Sequence, residues 1–570
     1  MLDISALVIL VLSVCVVIYA NHPSHSNDMQ VQDCMHRMVC VGLFAVGCVL
    51  RLLQLTSLPA GVAADEALVG VQAKTLWQTG GYFPDGRLTT YFEYWKGEQA
   101  GTLLAALTAP FVGMMGMNAF SVRVPLALLS CASMPAAYGL GKELAGKRAA
   151  RWCLMAYALC PYFVLCARMT NSANAAVYLA PVALYLLVSG VKRPCFLYGG
   201  AAVVALMAYA QMMYLWISPA VIVIAAIVYA LYGGKKRHAL GAAALGLTIC
   251  LPGIMTLWVS ISESDAITLF GVVDIPVLDT VRALKEKNGV SVGNLFAMSK
   301  ARMTIKRVWQ TIIGCIFQII MHDNISSALF APVGMLALYA VSVPLMILGA
   351  VSLAVRRVDG KMAEKEYIPG RMMICLFFAA ALWFVVLYGS DGVAIWTGTT
   401  SVYDYSAIFC FDVLLMAAGL CRIERKSRVG IAAMCAIFCT SVVMLIGHLF
   451  GGSYQMNANV YFGGFREAAW CAGQIQESTH GVVNVTNTVY PHIQPSEAAE
   501  MMYLYASDAD MRETVLGELK YEVIYPRGID NPDPEQVYLV TAEETVAWDI
   551  DAFDYEDYGQ YVILRPKRTK

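Results

Sequence analysis

The sequence predicts an all-α polytopic membrane protein with a small α/β domain at its C-terminal end. Of its 570 residues, 58% are hydrophobic and 14% are charged, whereas soluble domains carry about 25% charged residues. The mean hydropathy of +0.60 agrees with this prediction and excludes a soluble enzyme or a disordered scaffold. Apolar runs long enough to cross ~30 Å of hydrocarbon occur twelve times, near 3–20, 37–57, 119–141, 149–167, 174–190, 196–214, 216–232, 239–259, 332–354, 371–390, 404–421 and 430–450.

Lysine and arginine residues concentrate in alternate connections between these runs, and such connections face the cytoplasm in membrane proteins. The cationic connections lie at 142–151, 192–193, 235–237, 356–365 and 422–428. Both termini and the long segments 58–118, 260–331 and 451–570 then lie on the opposite side. We therefore predict a multi-pass protein of the plasma membrane whose active site and C-terminal domain face outward.

The first outer segment, 58–118, contains two apolar stretches that are too short for an ordinary span. After the break at 59–61, apolar side chains recur at helical spacing, at Val69, Ala73, Leu76 and Trp77. This pattern predicts an interfacial helix that lies on the membrane and ends at Gly80. The stretch 101–116 contains Pro110, and we expect it to be re-entrant or interfacial.

Opposite charges divide the chain into two predicted domains. Residues 1–450 carry a net charge of +10 and form the predicted membrane-embedded catalytic domain, whereas residues 451–570 carry a net charge of −11. The second region alternates predicted helices and strands, which favours a small extracytoplasmic α/β domain. The predicted helices are 465–477 and 498–506, and the predicted strands are 481–486, 522–525, 536–540 and 560–564. A nucleic-acid partner is not expected, since basic residues are not interleaved with aromatic ones in any patch.

The adjacent carboxylates Asp65 and Glu66 are the sharpest chemical feature of the sequence. They follow the second apolar run and precede the predicted interfacial helix. Either residue type serves as a general base, but Asp65 would equally serve as a helix N-cap. Most of the 17 cysteines lie in apolar runs, and neither they nor the 8 histidines show the spacing of a ligand set. We therefore predict no cofactor and leave a divalent metal requirement open.

Other candidate residues combine cations with aromatic side chains. Arg51 and Arg123 lie within or at the ends of apolar runs, where a charge is costly unless it faces a polar interior, although either could extend to the membrane surface instead. Arg168 opens an outer connection, and together the three cations predict a phosphate-binding site. The stretch 91–98, with Tyr91, Glu93 and Lys96, suits a lipid-phosphate and sugar site or an aromatic belt at the membrane surface.

Read in order, these motifs resemble one family. The series is Arg51-Leu52 with Leu55, Pro59, Asp65-Glu66, Tyr91-Phe92-Glu93, Gly116, Asn118, Ser121-Val122-Arg123-Val124-Pro125 and Pro161-Tyr162 to Arg168 and Asn174. It is similar to the GT-C membrane glycosyltransferases, in the branch of the protein O-mannosyltransferases and the lipid A aminoarabinose transferases. The motifs cover about residues 37–200, and the run pattern extends the likeness to 450.

The resemblance implies a sugar donor on a polyprenyl phosphate, an extracytoplasmic acceptor and inversion at the anomeric carbon. The acceptor would be a protein, a cell-wall polymer or a glycolipid. Asp65 would be the general base and Glu66 would assist it. Lipid-phosphate or donor binding would involve Lys96, Arg168, Arg123, Arg51 and Glu93, and the sugar or acceptor pocket would involve Tyr91, Asn174, Tyr403 and Tyr405.

The sequence departs from this family in two places. Leu68 occupies a position where the aminoarabinose branch carries arginine, and the stretch 170–174 has no carboxylate. These differences make the aminoarabinose substrate less expected and leave a catalytically degenerate homologue as an alternative. Two further alternatives are a flippase or transporter for a lipid-linked glycan, and an outer binding module on a membrane anchor. The clustering of charges outside the membrane favours the transferase over the transporter.

Overall fold

A computed structural model describes residues 29–278 with short gaps and several segments beyond them. The gaps are 59–61, 84, 95–97, 233–234 and 263–264, and the further segments are 345–349, 409–427, parts of 429–447, 465–479, 483–486, 504–508, 521–524 and 532–567. The predicted first run, 3–20, and most of 332–404 lie outside the described residues.

The described membrane body is helical. Its helices are α1 (Met29–Leu52), α2 (Ala64–Thr79), α3 (Leu103–Met115), α4 (Ala119–Ala145), α5 (Lys147–Leu159), α6 (Pro161–Cys166), α7 (Ser172–Gly190), α8 (Pro194–Met207), α9 (Met213–Leu231), α10 (Lys236–Ile261) and α11 (Phe409–Lys426). The predicted run 149–167 is split into α5 and α6 because Pro161 has no N–H to continue the helix and holds Cys160 in an extended conformation.

Three of these helices have the length and composition needed to cross a membrane, within the part of the chain that the structure describes. They are Ala119–Leu144, Ser172–Gly190 and Lys236–Ser260. Three shorter helices are also apolar, at Leu103–Met115, Pro194–Met207 and Ile217–Leu231. The predicted total of twelve spans stays a prediction.

Small residues allow the helices of the body to approach closely, which is the usual means of packing in membrane proteins. Gly47 of α1 faces Ala158 of α5 so closely that a Cβ atom there would lie 3.0 Å from the alanine Cβ. Gly200 of α8 similarly lies against Leu187 of α7. Helices α4, α5, α7, α8 and α10 enclose one continuous apolar core.

The outer segment lies at one end of this body and contains small sheets as well as α2 and α3. Strands β2 (Tyr91–Tyr94) and β3 (Glu98–Gly101) form an antiparallel pair. Strand β1 (Leu88–Thr89) runs parallel to β5 (Val273–Ile275), which pairs with β4 (Ile267–Leu269). The two long outer segments 58–118 and 260–331 therefore share a sheet.

Helix α2 ends at Gly80 as predicted, and its place on the membrane surface stays a prediction. Ala67, Leu68 and Val71 are fully or almost fully buried, whereas Trp77 is half exposed. Helix α3 covers one side of α2, and residues of the C-terminal region cover another. The apolar side chains of α2 are therefore covered by the next helix in the chain and by a region remote in sequence.

The C-terminal region contains helix α12 (Phe465–Thr479) and strands β6 (Val483–Thr486), β7 (Tyr521–Ile524), β8 (Val537–Thr541), β9 (Phe553–Tyr558) and β10 (Tyr561–Pro566). The strands form one five-stranded mixed sheet in the order β7-β6-β8-β10-β9. Strand β6 runs parallel to β7 and β8, and β10 runs antiparallel to β8 and β9. The four predicted strands overlap β6, β7, β8 and β10. The domain boundary at 451 lies outside the described residues.

Candidate active site

The Asp65-Glu66 pair lies in the first turn of α2. The N-cap position is Ala63, and Asp65 is the second helical residue. The alternative prediction that Asp65 is the helix N-cap is therefore wrong. The capping function belongs to Glu66, whose Oε2 accepts a hydrogen bond from the backbone N–H of Ala63 at 3.2 Å. Both carboxylates lie at the N-terminal end of α2, where the helix dipole stabilises negative charge.

Glu66 connects three parts of the chain and is only 2% exposed. Arg123 of α4 donates from Nε to Oε1 at 2.9 Å and from Nη2 to Oε2 at 2.8 Å. The backbone N–H of Thr170 donates to Oε1 at 2.9 Å. With the Ala63 bond, these contacts give each carboxylate oxygen two donors, which matches its full accepting capacity. Glu66 therefore anchors the start of α2 to α4 and to the loop after α6.

Asp65 occupies a different environment one residue earlier. It is partly exposed, and its Oδ2 accepts a hydrogen bond from Nδ2 of Asn171 at 2.7 Å. Asn171 in turn caps α7, since its Oδ1 accepts from the backbone N–H of Ala173 at 2.8 Å. The amide that orients Asp65 is thus itself held by a helix end.

The loop between α6 and α7 therefore contacts both carboxylates. Sequence reasoning placed this loop near Asp65 but did not select Thr170 or Asn171 as contributing residues. Their signal was weak: a short polar stretch between two apolar runs on the outer side. The predicted pocket residue Asn174 is 1% exposed, and its Nδ2 donates to the carbonyls of Cys166 and Met169, so it shapes the loop.

Arg168 closes the C-terminal end of α1. Its guanidinium group is fully buried and donates to carbonyl oxygens that the end of a helix leaves without partners. The acceptors are the carbonyls of Leu50, Arg51, Leu53, Gln54 and Leu58, at 2.8–3.2 Å.

Arg51 and Arg123 lie near the same chain segment. Arg51 is fully buried and bonds to Ser130 Oγ at 2.7 Å and to the carbonyls of Gly47, Ala158 and Tyr157. Arg123 bonds to the Leu55 carbonyl at 3.1 Å in addition to Glu66. The three predicted cations are thus brought together around the end of α1, but with donors directed at protein oxygens. Their phosphate-binding role stays a prediction.

The remaining predicted residues have different outcomes. Tyr91 is 1% exposed, donates to the Ala208 carbonyl at 2.6 Å and stacks on Tyr209. Burial raises the pKa of Tyr91 well above its usual value, so this hydroxyl stays protonated. Glu93 pairs through its backbone with Gln99 in the β2–β3 hairpin. Lys96, Tyr403 and Tyr405 lie outside the described residues.

Comparison with protein families gives one match. Residues 101–258 match the family described as dolichyl-phosphate-mannose-protein mannosyltransferase. This range includes Arg123, Arg168 and Asn174 but begins after the Asp65-Glu66 pair. None of the curated proteins matches the chain.

Solved structures give a further likeness. The fold is similar to that of ArnT from Cupriavidus metallidurans in the apo state, with a TM-score of 0.52, 11% sequence identity, and coverage of 92% of this chain and 97% of that chain. The same protein bound to undecaprenyl phosphate has a TM-score of 0.50 and 11% identity, with coverage of 95% and 99%. At this identity the likeness shows the fold. The family match and the shared fold together confirm the predicted resemblance to the GT-C membrane glycosyltransferases.

Proposed function

We propose that the protein transfers a sugar from a polyprenyl phosphate to an extracytoplasmic acceptor, with inversion, and that Asp65 is the general base. The observation that carries this proposal is the contrast between two neighbouring carboxylates. Glu66 is buried with donors on both oxygens, whereas Asp65 is partly exposed and oriented by Asn171. The structure of ArnT with undecaprenyl phosphate supports the class of donor.

In the proposed reaction, a nucleophilic oxygen or nitrogen of the acceptor attacks the anomeric carbon of the sugar. The bond between that carbon and the phosphate oxygen breaks, and the polyprenyl phosphate leaves with the electron pair. Asp65 accepts the proton that the acceptor loses. Attack opposite the leaving group inverts the configuration, and the reaction is balanced without ATP or another co-substrate.

The buried arginines support this chemistry in two ways. Arg123 holds Glu66, which fixes the first turn of α2 and therefore the backbone of Asp65. Arg51 and Arg168 contribute two further positive charges, and hence a positive field, around the end of α1. A field of this sign stabilises the charge that develops on the leaving phosphate. We assign direct contact with the phosphate to Lys96.

The test is transfer by the full-length protein in nanodiscs, with a panel of radiolabelled polyprenyl-phosphate sugars and envelope acceptors, with and without EDTA. Asp65→Asn keeps the shape of the side chain and its contact with Asn171 but removes the base, so we expect a loss of about 10²–10⁴-fold in kcat. Asp85→Asn is the matched control, because Asp85 lies in the same outer segment and pairs with Arg87 at the surface. Full activity of Asp65→Asn would refute the assignment, and a wild-type protein inactive with every donor would favour a degenerate homologue.

A further inference from the structure

We propose that the C-terminal region positions the catalytic helix α2 through one small contact, formed by Gly70 and Lys74 of α2 with Tyr505 and Asp508. We refer to these four residues as the helix clamp. The proposal rests on the proposed function in one respect only: it takes α2 to be the helix that carries the base.

The first half of the helix clamp is a close aromatic contact. Tyr505 is 4% exposed, and its ring lies directly against the backbone of Gly70. A Cβ atom on Gly70 would lie 2.9 Å from Cδ2 and Cε2 of Tyr505 and 3.1 Å from Cγ2 of Val122. Glycine is therefore required for this approach, and α2 is held at this level between the C-terminal region and α4.

The second half is an ion pair one helical turn further. Nζ of Lys74 lies 3.1 Å from Oδ1 of Asp508 and also donates to the backbone carbonyl of Asp508. Asp508 has a φ of +60°, in the left-handed region that residues other than glycine rarely adopt. The side chain of Lys74 is only 17% exposed, so the pair is partly shielded from solvent.

The helix clamp lies in line with the Glu66 anchor. Glu66, Gly70 and Lys74 are each four residues apart, so they form one row along α2. The row is fixed by Arg123 at its first position and by the C-terminal region at the next two. Since Asp65 neighbours the first position, rotation or sliding of α2 would move the base. A displacement of about 1 Å is enough to reduce the rate by about 10²-fold.

This arrangement assigns the C-terminal region a positioning role in the reaction. Residues 504–508 reach α2 across more than 400 residues of sequence, and the apolar cluster around α2 continues from Tyr505 into Ala468 and Ala472 of α12. A shift of the C-terminal region, for example when an acceptor binds it, would therefore be transmitted to the start of α2.

The first experiment measures the helix directly and needs no activity. Hydrogen–deuterium exchange of the peptide covering 64–79 is compared, in full-length protein in nanodiscs, for wild type, Tyr505→Ala, Tyr505→Phe and Trp470→Ala. Trp470 is the matched control, because it is a half-exposed aromatic residue in the same region. We expect at least tenfold faster exchange in Tyr505→Ala and wild-type exchange in Tyr505→Phe and Trp470→Ala. Unchanged exchange in Tyr505→Ala would overturn the proposal.

The second experiment tests the ion pair by charge reversal. Lys74→Glu places two carboxylates together and should accelerate exchange, and Lys74→Glu combined with Asp508→Lys should restore it. Where transfer is measurable, Tyr505→Ala should lower kcat about tenfold or more while the KM for the donor stays constant. A wild-type protein without activity would refute the proposed function but leave the exchange result intact. Faster exchange with an unchanged kcat would overturn the positioning role itself.

Discussion

Removing Arg123 should destabilise the protein far more than removing an arginine at the surface. The Arg123→Met variant loses both charged hydrogen bonds to Glu66 and leaves that carboxylate with two neutral donors at 2% exposure. Breaking a buried ion pair in this way costs about 3–5 kcal/mol. Two hydrogen bonds to a charged group, at about 1.5–3 kcal/mol each, give a similar sum. For a chain of 570 residues one kcal/mol corresponds to about 0.8 °C, so the apparent Tm should fall by about 2–4 °C.

The assay is thermal unfolding of the full chain in nanodiscs, followed by intrinsic fluorescence. Arg148→Met is the control, since Arg148 is an exposed arginine of α5. The double variant Arg123→Met with Glu66→Met removes both charges. Its loss of unfolding free energy should therefore be smaller than the sum of the two single losses by about 2–3 kcal/mol. The reasoning is refuted if Arg123→Met unfolds at the same temperature as Arg148→Met, or if the two single effects are simply additive.

Three further predictions concern the same region. Arg168→Lys keeps the charge but cannot bridge several carbonyls of α1, so it should lower the apparent Tm. If Arg168 acts on the donor by its charge alone, the KM for the donor should stay unchanged. Asn171→Asp places a second carboxylate beside Asp65 and should raise the pKa of Asp65, so the acidic limb of the pH–rate profile moves to higher pH. It would stay in place if Asp65 were not the base. Gly101→Ala would bring a Cβ to 2.1 Å from a backbone oxygen, whereas the Cβ of Gly199→Ala would lie 3.6 Å from its nearest contact. Expression and Tm should therefore fall only for Gly101→Ala.

The helices of the body could be predicted from the sequence because hydrophobicity along one run determines them locally. The runs at 174–190 and 239–259 lie within α7 and α10. The surroundings of α2 could not be predicted in this way. Its apolar positions indicate burial but do not identify what covers them, and one of the covering residues, Tyr505, is more than 400 positions away.

The arginines illustrate the same limit at the candidate site. A charge within an apolar run is costly unless it is bonded, so the sequence offered a polar interior or the membrane surface for Arg51 and Arg123, and both are buried and bonded. Which acceptors satisfy them depends on how α1 ends. Because its last carbonyls face inward, Arg168 bonds to the backbone of 50–58. Every residue type carries the same backbone carbonyl, so the sequence does not indicate which carbonyls at a helix end bind a buried arginine.

The division of roles between Asp65 and Glu66 follows from this arrangement of cations. The two oxygens of Glu66 are fully engaged by four hydrogen-bond donors. Glu66 has the longer side chain and occupies the third helical position, from which it reaches both the free N–H of Ala63 and the guanidinium of Arg123. Asp65 is partly exposed and accepts a hydrogen bond from the amide of Asn171. The buried ion pair thus occupies Glu66, and this supports the proposal that the shorter, partly exposed Asp65 is the base.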